Sequence, residues 1–366
     1  MVSDEAVRRQ PGTVARVIRA TVGNYLVIVL LATVVLGGIL SPYFLTVRNI
    51  ENVLTFAAII SVMAVGQFFV VVTGGIDLSV GSVAALSTVV VAVMLEGGSP
   101  ALVAAPVAVL IATTAGLING IAVVKLGITP FVATLAMMSI ARGIAYMIQV
   151  GSLISVKNAG FISFFSGKTG PLPHSVVIFV AVMLAAAFAM RYTTFGRRLY
   201  AIGGNAEAAR LSGLPVPRTT ALAYVLSGFL AGLGGMILSA QLTQGSSLLG
   251  QGYELDTIAA VVVGGASLAG GTGGPVGAVI GGLIIGAIGN IMNLYGIPSE
   301  PQLVVKGILI LLAVFFITGD GVSRVRSWFK RRPLAPEGMS LEAPVCADDE
   351  AAPQGGDAAV SSKRES

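Results

Sequence analysis

Residues 52–95 read NVLTFAAIISVMAVGQFFVVVTGGIDLSVGSVAALSTVVVAVML. The apolar run from Asn52 to Thr73 is long enough to cross a hydrocarbon core about 30 Å thick as a helix. A second run, Val80 to Leu95, begins just after it, and one acid, Asp77, stands at the join. In lipid every backbone polar group must be satisfied inside its own element, so runs of this kind read as helices. Gly74, Gly75 and Gly81 bracket Asp77, where a tight turn and a close helix approach need residues without a Cβ. Asp77 or Ser79 is placed to cap the second helix.

The same pattern extends in both directions. Apolar spans run at Tyr25–Leu40, Ala101–Val124, Thr129–Gln149, His174–Met190, Thr219–Ala240, Asp256–Leu268, Pro275–Leu294 and Gln302–Thr318. Together with the first two they make about ten, with a range of 8–10. Asp256–Leu268 is short enough to be a re-entrant or broken helix. The 366 residues are 55% hydrophobic and 11% charged, with a mean hydropathy of +0.90, against roughly 25% charged residues in soluble domains. A soluble enzyme is excluded, and the expected fold is an all-α integral membrane protein embedded in the lipid bilayer. Its 47 glycines fit a bundle in which small residues let helices pack closely. Spacings such as Gly228-x-x-x-Gly232, Gly277-x-x-x-Gly281 and Gly282-x-x-x-Gly286 predict such contacts, within the chain more often than across a dimer seam. A degraded echo of Val-Val-x-Gly-Gly from Val71 occurs near Val261, a hint of internal duplication.

The net charge of +5 raises the question of nucleic acid. The basic residues sit at span ends, however, and fifteen of them fall on one set of loops against Arg48, Lys157 and Lys168 on the other. That asymmetry anchors topology and places both termini in the cytoplasm, with no nucleic-acid partner. The organisation expected is an N-terminal cytoplasmic arm (1–22), a transmembrane domain (23–320) and a basic then acidic tail (321–366). The tail lacks large apolar residues and should be disordered. Its Cys346 is the only cysteine, so no intramolecular disulfide can form.

Catalytic motifs are missing. Ser166-Gly167-Lys168-Thr169 ends like a phosphate-binding loop, but Ile162 stands where the first glycine is required. His174 has no cysteine or histidine companion for a metal, which leaves a capping or interfacial role. No nucleophile elbow or zinc-protease run occurs. The charges in or beside spans are Asp77, Arg142, Glu254, Asp256 and Lys306. Buried charge in a membrane faces the bundle interior, a partner or a watery cavity. Asp77, Arg142, Glu254 and Asp256 are therefore candidates to line a translocation path or to lock helices together. A chain of carboxylates or histidines for proton relay is absent.

The basic loop 191–218 contains TTFGRRLYAIGGNAEAARLSGLPVP, a short helix between two breaks. Asn205 can cap it, Glu207 suits its first turn, and Ala206, Ala208 and Ala209 favour it. Gly213, Pro215 and Pro217 end it, after about two turns. A short rigid helix on that face can dock into a partner.

Glu207-Ala208-Ala209-Arg210-Leu211-Ser212-Gly213 resembles the coupling loop of permease subunits in ATP-binding-cassette importers. Four blocks in order, Met63–Ser82, Thr129–Gly143, Phe195–Gly213 and Gly252–Gly273, are similar to the ribose-type sugar permeases of that superfamily. The likeness covers about Ser41 to Ile317. It implies a monosaccharide permease of the bacterial cell membrane in which Asn205, Ala206, Glu207, Ala208, Ala209, Arg210, Leu211, Ser212 and Gly213 couple to a separate ATPase. It also implies an extracytoplasmic sugar-binding protein and a second permease subunit, as a homodimer or a heterodimer. No residue of this chain would be catalytic, and it would bind no cofactor or metal itself, with ATP and magnesium held by the ATPase. An ion-coupled carrier and a channel or membrane scaffold are the alternatives from other classes.

Overall fold

The computed structural model describes residues 13–317, so the tail read as disordered lies outside the described residues. In chain order the helices are α1 (Thr13–Leu40), α2 (Val47–Val71), α3 (Val80–Glu96), α4 (Ala101–Val124), α5 (Pro130–Ile148), α6 (Ala159–Ser166) and α7 (His174–Tyr192). They continue as α8 (Thr194–Gly204), α9 (Ala206–Leu211), α10 (Val216–Leu242), α11 (Tyr253–Val263), α12 (Pro275–Leu294) and α13 (Ser299–Ile317). Two antiparallel pairs of two-residue strands accompany them. These are β1 (Ile154–Ser155) with β4 (Gln244–Gly245), and β2 (Lys168–Thr169) with β3 (Leu172–Pro173). Among the described residues six helices, α2, α4, α5, α7, α10 and α12, are long and apolar enough to cross a membrane by length and composition, while α3 and Tyr25–Leu40 are shorter apolar helices.

The quoted stretch forms the centre of the bundle. Residues 57–72 and 80–92 are buried without interruption, and α2 packs on α10, α12, α11 and α7. A helix apolar on every side belongs inside a bundle, and beyond its first turns α2, like α3, has no polar face. The periphery shows the opposite arrangement. Leu102 and Leu110 of α4, Phe131 and Met147 of α5, and Leu184 and Phe188 of α7 project outward, which suits lipid and would be an aggregation hazard in water.

The spaced glycines pack within the chain, as their spacing favours. Gly228 of α10 meets the backbone of Gly116 and Ala112 on α4, and Gly232 meets Ala112 and Val109. Gly281 meets Ala260 of α11, and Gly282 and Gly286 meet Ser61 and Ala57 of α2.

The two turns that carry the sequence echo share a shape, one residue out of register with it. After α2, Gly74 N–H donates to the Val71 carbonyl (2.9 Å) and Gly75 N–H to that of Val70 (3.2 Å). After α11, Gly265 N–H donates to Val262 (2.8 Å) and Ala266 N–H to Val261 (3.1 Å). Gly74 and Gly265 have φ of 82° and 86°, a left-handed conformation that glycine enters freely.

Asp256–Leu268 is short enough to be re-entrant or broken; the structure shows one continuous helix, α11, that ends at Val263, with irregular chain on both sides. Residues 243–252 turn back into the bundle. Thr243 enters at a left-handed φ of 51°, Ser246 N–H donates to Thr88 Oγ1 (3.3 Å) midway along α3, and Gly250 lies on the Gly81 backbone at the start of α3. Irregular backbone at membrane depth is tolerated where protein buries it.

Boundaries differ modestly from the expected spans. α1 is helical from Thr13, α2 starts at Val47, α10 spans Val216–Leu242, and α11 covers Tyr253–Val263. The phosphate-loop-like string lies on the β2–β3 hairpin, with Lys168 paired to Glu51. His174 ties that hairpin down through Thr169 Oγ1 (2.8 Å) and the Ser163 carbonyl (2.7 Å). α6 had no counterpart in the sequence reading; Asn158 caps it by accepting from Phe161 N–H (2.9 Å), and Phe161 and Phe165 are buried.

Candidate functional site

The loop expected to carry one short helix carries two. α9 is the expected one: Asn205 Oδ1 accepts from Ala208 N–H at 2.9 Å, an N-cap in the usual geometry. Glu207 lies in the first turn, where the helix dipole favours an acid, and its carboxylate takes two hydrogen bonds from Arg210, at 2.6 and 3.0 Å. The Arg210 guanidinium holds the Glu207 carboxyl below its ordinary value, and the carboxylate holds Arg210 above its own. Ser212 N–H donates to Ala208 and Leu214 N–H to Ala209, closing the helix at Gly213 with φ 76°. Ala206, Leu211 and Ser212 are exposed and only Ala209 is buried, so α9 presents its surface outward.

α8 is the part that sequence reasoning missed. It carries Phe195-Gly196-Arg197-Arg198-Leu199-Tyr200-Ala201-Ile202-Gly203-Gly204, with Leu199 and Ile202 buried and the arginines at the surface. Glycines at 196, 203 and 204 weaken the propensity for helix, so tertiary contacts decide its form. Those contacts are specific. The Tyr200 hydroxyl donates to the Gly273 carbonyl (2.8 Å). Gly203 lies against the Val72 carbonyl at the end of α2 and against Gly271, whose N–H donates to Val72 (2.9 Å). Gly270 in turn reaches the Gly74 amide. The two matching turns, 72–75 and 264–274, therefore meet beneath α8, which continues directly into α9.

Asp77 sits just beyond the first of these turns and is 1% exposed. One oxygen accepts from Ser79 N–H (2.9 Å) and Ser79 Oγ (2.6 Å), and the other from Ser227 Oγ on α10 (2.8 Å). Ser79 Oγ accepts from Asn119 Nδ2 on α4 (2.9 Å). Gln67 of α2, with its amide oriented to satisfy its surroundings, donates to the Asp77 carbonyl (2.9 Å) and accepts from the Asp77 N–H (3.2 Å). The carboxylate thus closes a local turn onto Ser79 and does not cap α3 directly; Ser79 occupies the cap position and makes no side-chain cap bond. Asp77 and its hydrogen-bond partners thus connect α2, the start of α3, α4 and α10.

The other three charges gather elsewhere, around the re-entrant segment. Arg142 of α5 donates to the carbonyls of Ser247 and Leu249 (2.9 Å for the latter), and Gln149 accepts from Ser247 N–H (2.6 Å). Glu254 lies near enough to Arg142 to interact with it electrostatically. Its Oε1 accepts from Gly252 N–H (3.2 Å). Asp256, with no solvent exposure, accepts from Lys306 Nζ of α13 (2.8 Å). So the sequence-derived set divides: Asp77 in one knot, Arg142 and Glu254 bonded to the irregular chain before α11, and Asp256 tying α11 to α13. Ser227, Asn119 and Gln67 were missed, although a glutamine inside an apolar run such as MAVGQFFVVV was a visible sign of an intramembrane partner. Among the described residues no group of three or more metal-ligating side chains forms.

A family model described as "Branched-chain amino acid transport system / permease component" matches residues 49–314. The ribose import permease protein of Escherichia coli (strain K12) is 42% identical over 291 residues, covering 78% of this chain and 91% of the relative. That of Bacillus subtilis (strain 168) is 43% identical over 283 residues, 77% and 88%. The L-arabinose transport system permease protein of Escherichia coli (strain K12) is 36% identical over 275 residues, 75% and 84%. No solved structure matches the chain.

Proposed function

The chain belongs to the family of branched-chain amino acid transport system permease components and, within it, resembles the ribose-type permeases of ATP-binding-cassette importers; from that premise we propose that it carries a monosaccharide across a bacterial cell membrane. It is the membrane-spanning subunit and catalyses nothing itself. Energy comes from a separate ATPase that holds ATP and magnesium, and cargo comes from an extracytoplasmic binding protein. A second permease subunit, most simply a second copy, completes the pathway. The family description names branched-chain amino acids, whereas the ribose and L-arabinose transport names of relatives at 36–43% identity support a sugar cargo.

In this reading the chain crosses the membrane ten times, with α11 as the short span and both termini cytoplasmic. The lysine and arginine asymmetry between loops supports that orientation. It places α8 and α9 in the cytoplasm, where the ATPase is. The single observation that carries the mechanism is the seating of Gly203 between Val72 and Gly271. Force applied to α9 is delivered through α8 to two turns at once: the one that ends α2 and precedes the Asp77 knot, and the one between α11 and α12. Shifts at the ATPase are thereby converted into relative movement of α2 and α11, while the re-entrant segment is held against α3 and by Arg142 of α5.

The test is uptake of labelled pentoses and hexoses into vesicles containing this chain with its ATPase and binding protein, with ATP enclosed or omitted. Uptake requiring all three proteins and ATP is expected. Uptake by this chain alone, driven by an ion gradient, would replace the importer reading with a secondary carrier.

A further inference from the structure

At the end of the bundle opposite α9, the first turns of α2 and the last turns of α10 and α12 enclose a cleft of about 310 Å³. Ligand pockets span roughly 300–1,000 Å³, so this one suits a small solute. Its polar lining is made of carboxamides: Asn49, Asn52, Gln241, Asn290 and Asn293, with the Phe56 ring on one side. Asn49 and Asn290 form a reciprocal pair, each Nδ2 donating to the other's Oδ1 at 2.9 Å. Gln302 donates to Asn293 Oδ1 (2.8 Å). Two amides are left over. Asn52 is exposed and forms no hydrogen bond among the described residues, and Gln241 Oε1 is buried without a partner. A buried acceptor left unsatisfied is unfavourable, so this oxygen is placed to accept from an occupant of the cleft.

The chemistry of the lining selects a class of occupant. A carboxamide both donates and accepts from one planar group, and vicinal hydroxyls do the same, so free amides match a polyol edge. Phe56, held edge-on by Tyr253 at 6.2 Å between ring centroids, offers an apolar face for ring C–H groups. No lining residue is charged. The nearest ion pair, Glu51 with Lys168, satisfies itself. A zwitterionic amino acid would find no counter-charge here, whereas a neutral sugar needs none.

We propose that this amide-lined cleft is a transit site for a neutral polyhydroxylated solute, with Asn52 and Gln241 as its contact residues. The proposal rests on the importer reading above, in which this end of the bundle faces the binding protein. The solute occupies the cleft after release from that protein and before it passes between the helices.

Two measurements on the permease in complex with its ATPase test this. Replacing Cys346 by Ser and the apolar lining residue Leu294 by Cys makes position 294 the only thiol of the chain while leaving Asn52 and Gln241 in place. Free D-ribose is expected to slow thiol labelling there by roughly tenfold, as a site built on hydrogen bonds discriminates strongly, and L-leucine is expected to leave it unchanged. Gln241→Leu is expected to cut ATP-dependent ribose uptake by about tenfold, while ATP hydrolysis stimulated by loaded binding protein persists. Labelling unaffected by ribose, protection by leucine instead, or unchanged uptake by Gln241→Leu would each overturn the proposal. If the unsubstituted chain shows no ATP-dependent uptake, the importer reading fails, and ribose protection at position 294 alone then decides the cleft.

Discussion

The Asp77 carboxylate and the Ser227 hydroxyl, 150 positions apart in sequence, meet at 2.8 Å in the buried centre of the bundle. Through that contact α10 is tied to the turn between α2 and α3, and Asn119 ties α4 to the same turn through Ser79. Hydrogen bonds to a charged group contribute about 1.5–3 kcal/mol each. Asp77→Ala removes three at once and is expected to lower the midpoint of thermal unfolding in detergent well below that of Ser227→Ala. Because both residues belong to one network, the double substitution should cost less than the sum of the singles.

Neighbouring glycines on α8 should behave oppositely. A methyl at Gly203 would collide with the Val72 carbonyl and the Gly271 amide, whereas one at Gly204 meets nothing within 4 Å. Gly203→Ala is expected to reduce ATP-driven uptake by about tenfold, the effect of ~1.4 kcal/mol on a coupling equilibrium, while the assembled complex still hydrolyses ATP. Gly204→Ala should transport normally. Uptake and hydrolysis measured on the same vesicles check the pair.

Lys306 is the counter-charge of Asp256, which is wholly buried. Removing one member of a buried pair costs about 3–5 kcal/mol because the other charge is stranded. Lys306→Met should therefore yield little folded protein, and adding Asp256→Asn should restore it. Monodisperse protein recovered after detergent extraction reads the outcome.

The Glu207–Arg210 pair gives a pH prediction. Arg210 holds the Glu207 carboxyl below its ordinary value of 4.5, so any support the pair lends to α9 is complete above that value. It is lost only as pH falls through the lowered one. Uptake by the parent should show no titration from this pair across neutral pH. Glu207→Gln should show at neutral pH whatever defect loss of the pair produces, which a pH profile of both proteins compares.

The sequence made the membrane character plain because hydropathy acts locally: Asn52–Thr73 announces α2 without any tertiary information. The cap at Asn205, the acid at Glu207 and the stop at Gly213 were equally local, and α9 follows them. α8 was not legible, since its glycine-rich sequence is helical only when Gly203 and Tyr200 dock on chain distant in sequence. The re-entrant course of 243–252 depends on Arg142, more than a hundred positions earlier, and no pattern within the segment reports it. The division of the four candidate charges into a knot and a cluster was hidden for the same reason. Their presence was visible in the composition of the spans, and their partners were not.

The contact of Gly116 with Gly228 carries a mechanical consequence. Where backbone meets backbone, no side chain lies between the helices to change rotamer and absorb a displacement. α4 and α10 must then travel as one rigid body, and whatever opens the pathway has to bend or slide chain elsewhere. The joints left for that are the glycine turns under α8 and the irregular stretch before α11. Spin labels placed on α4 and α10 should hold a constant separation through the ATP cycle, while a label on α11 moves relative to both.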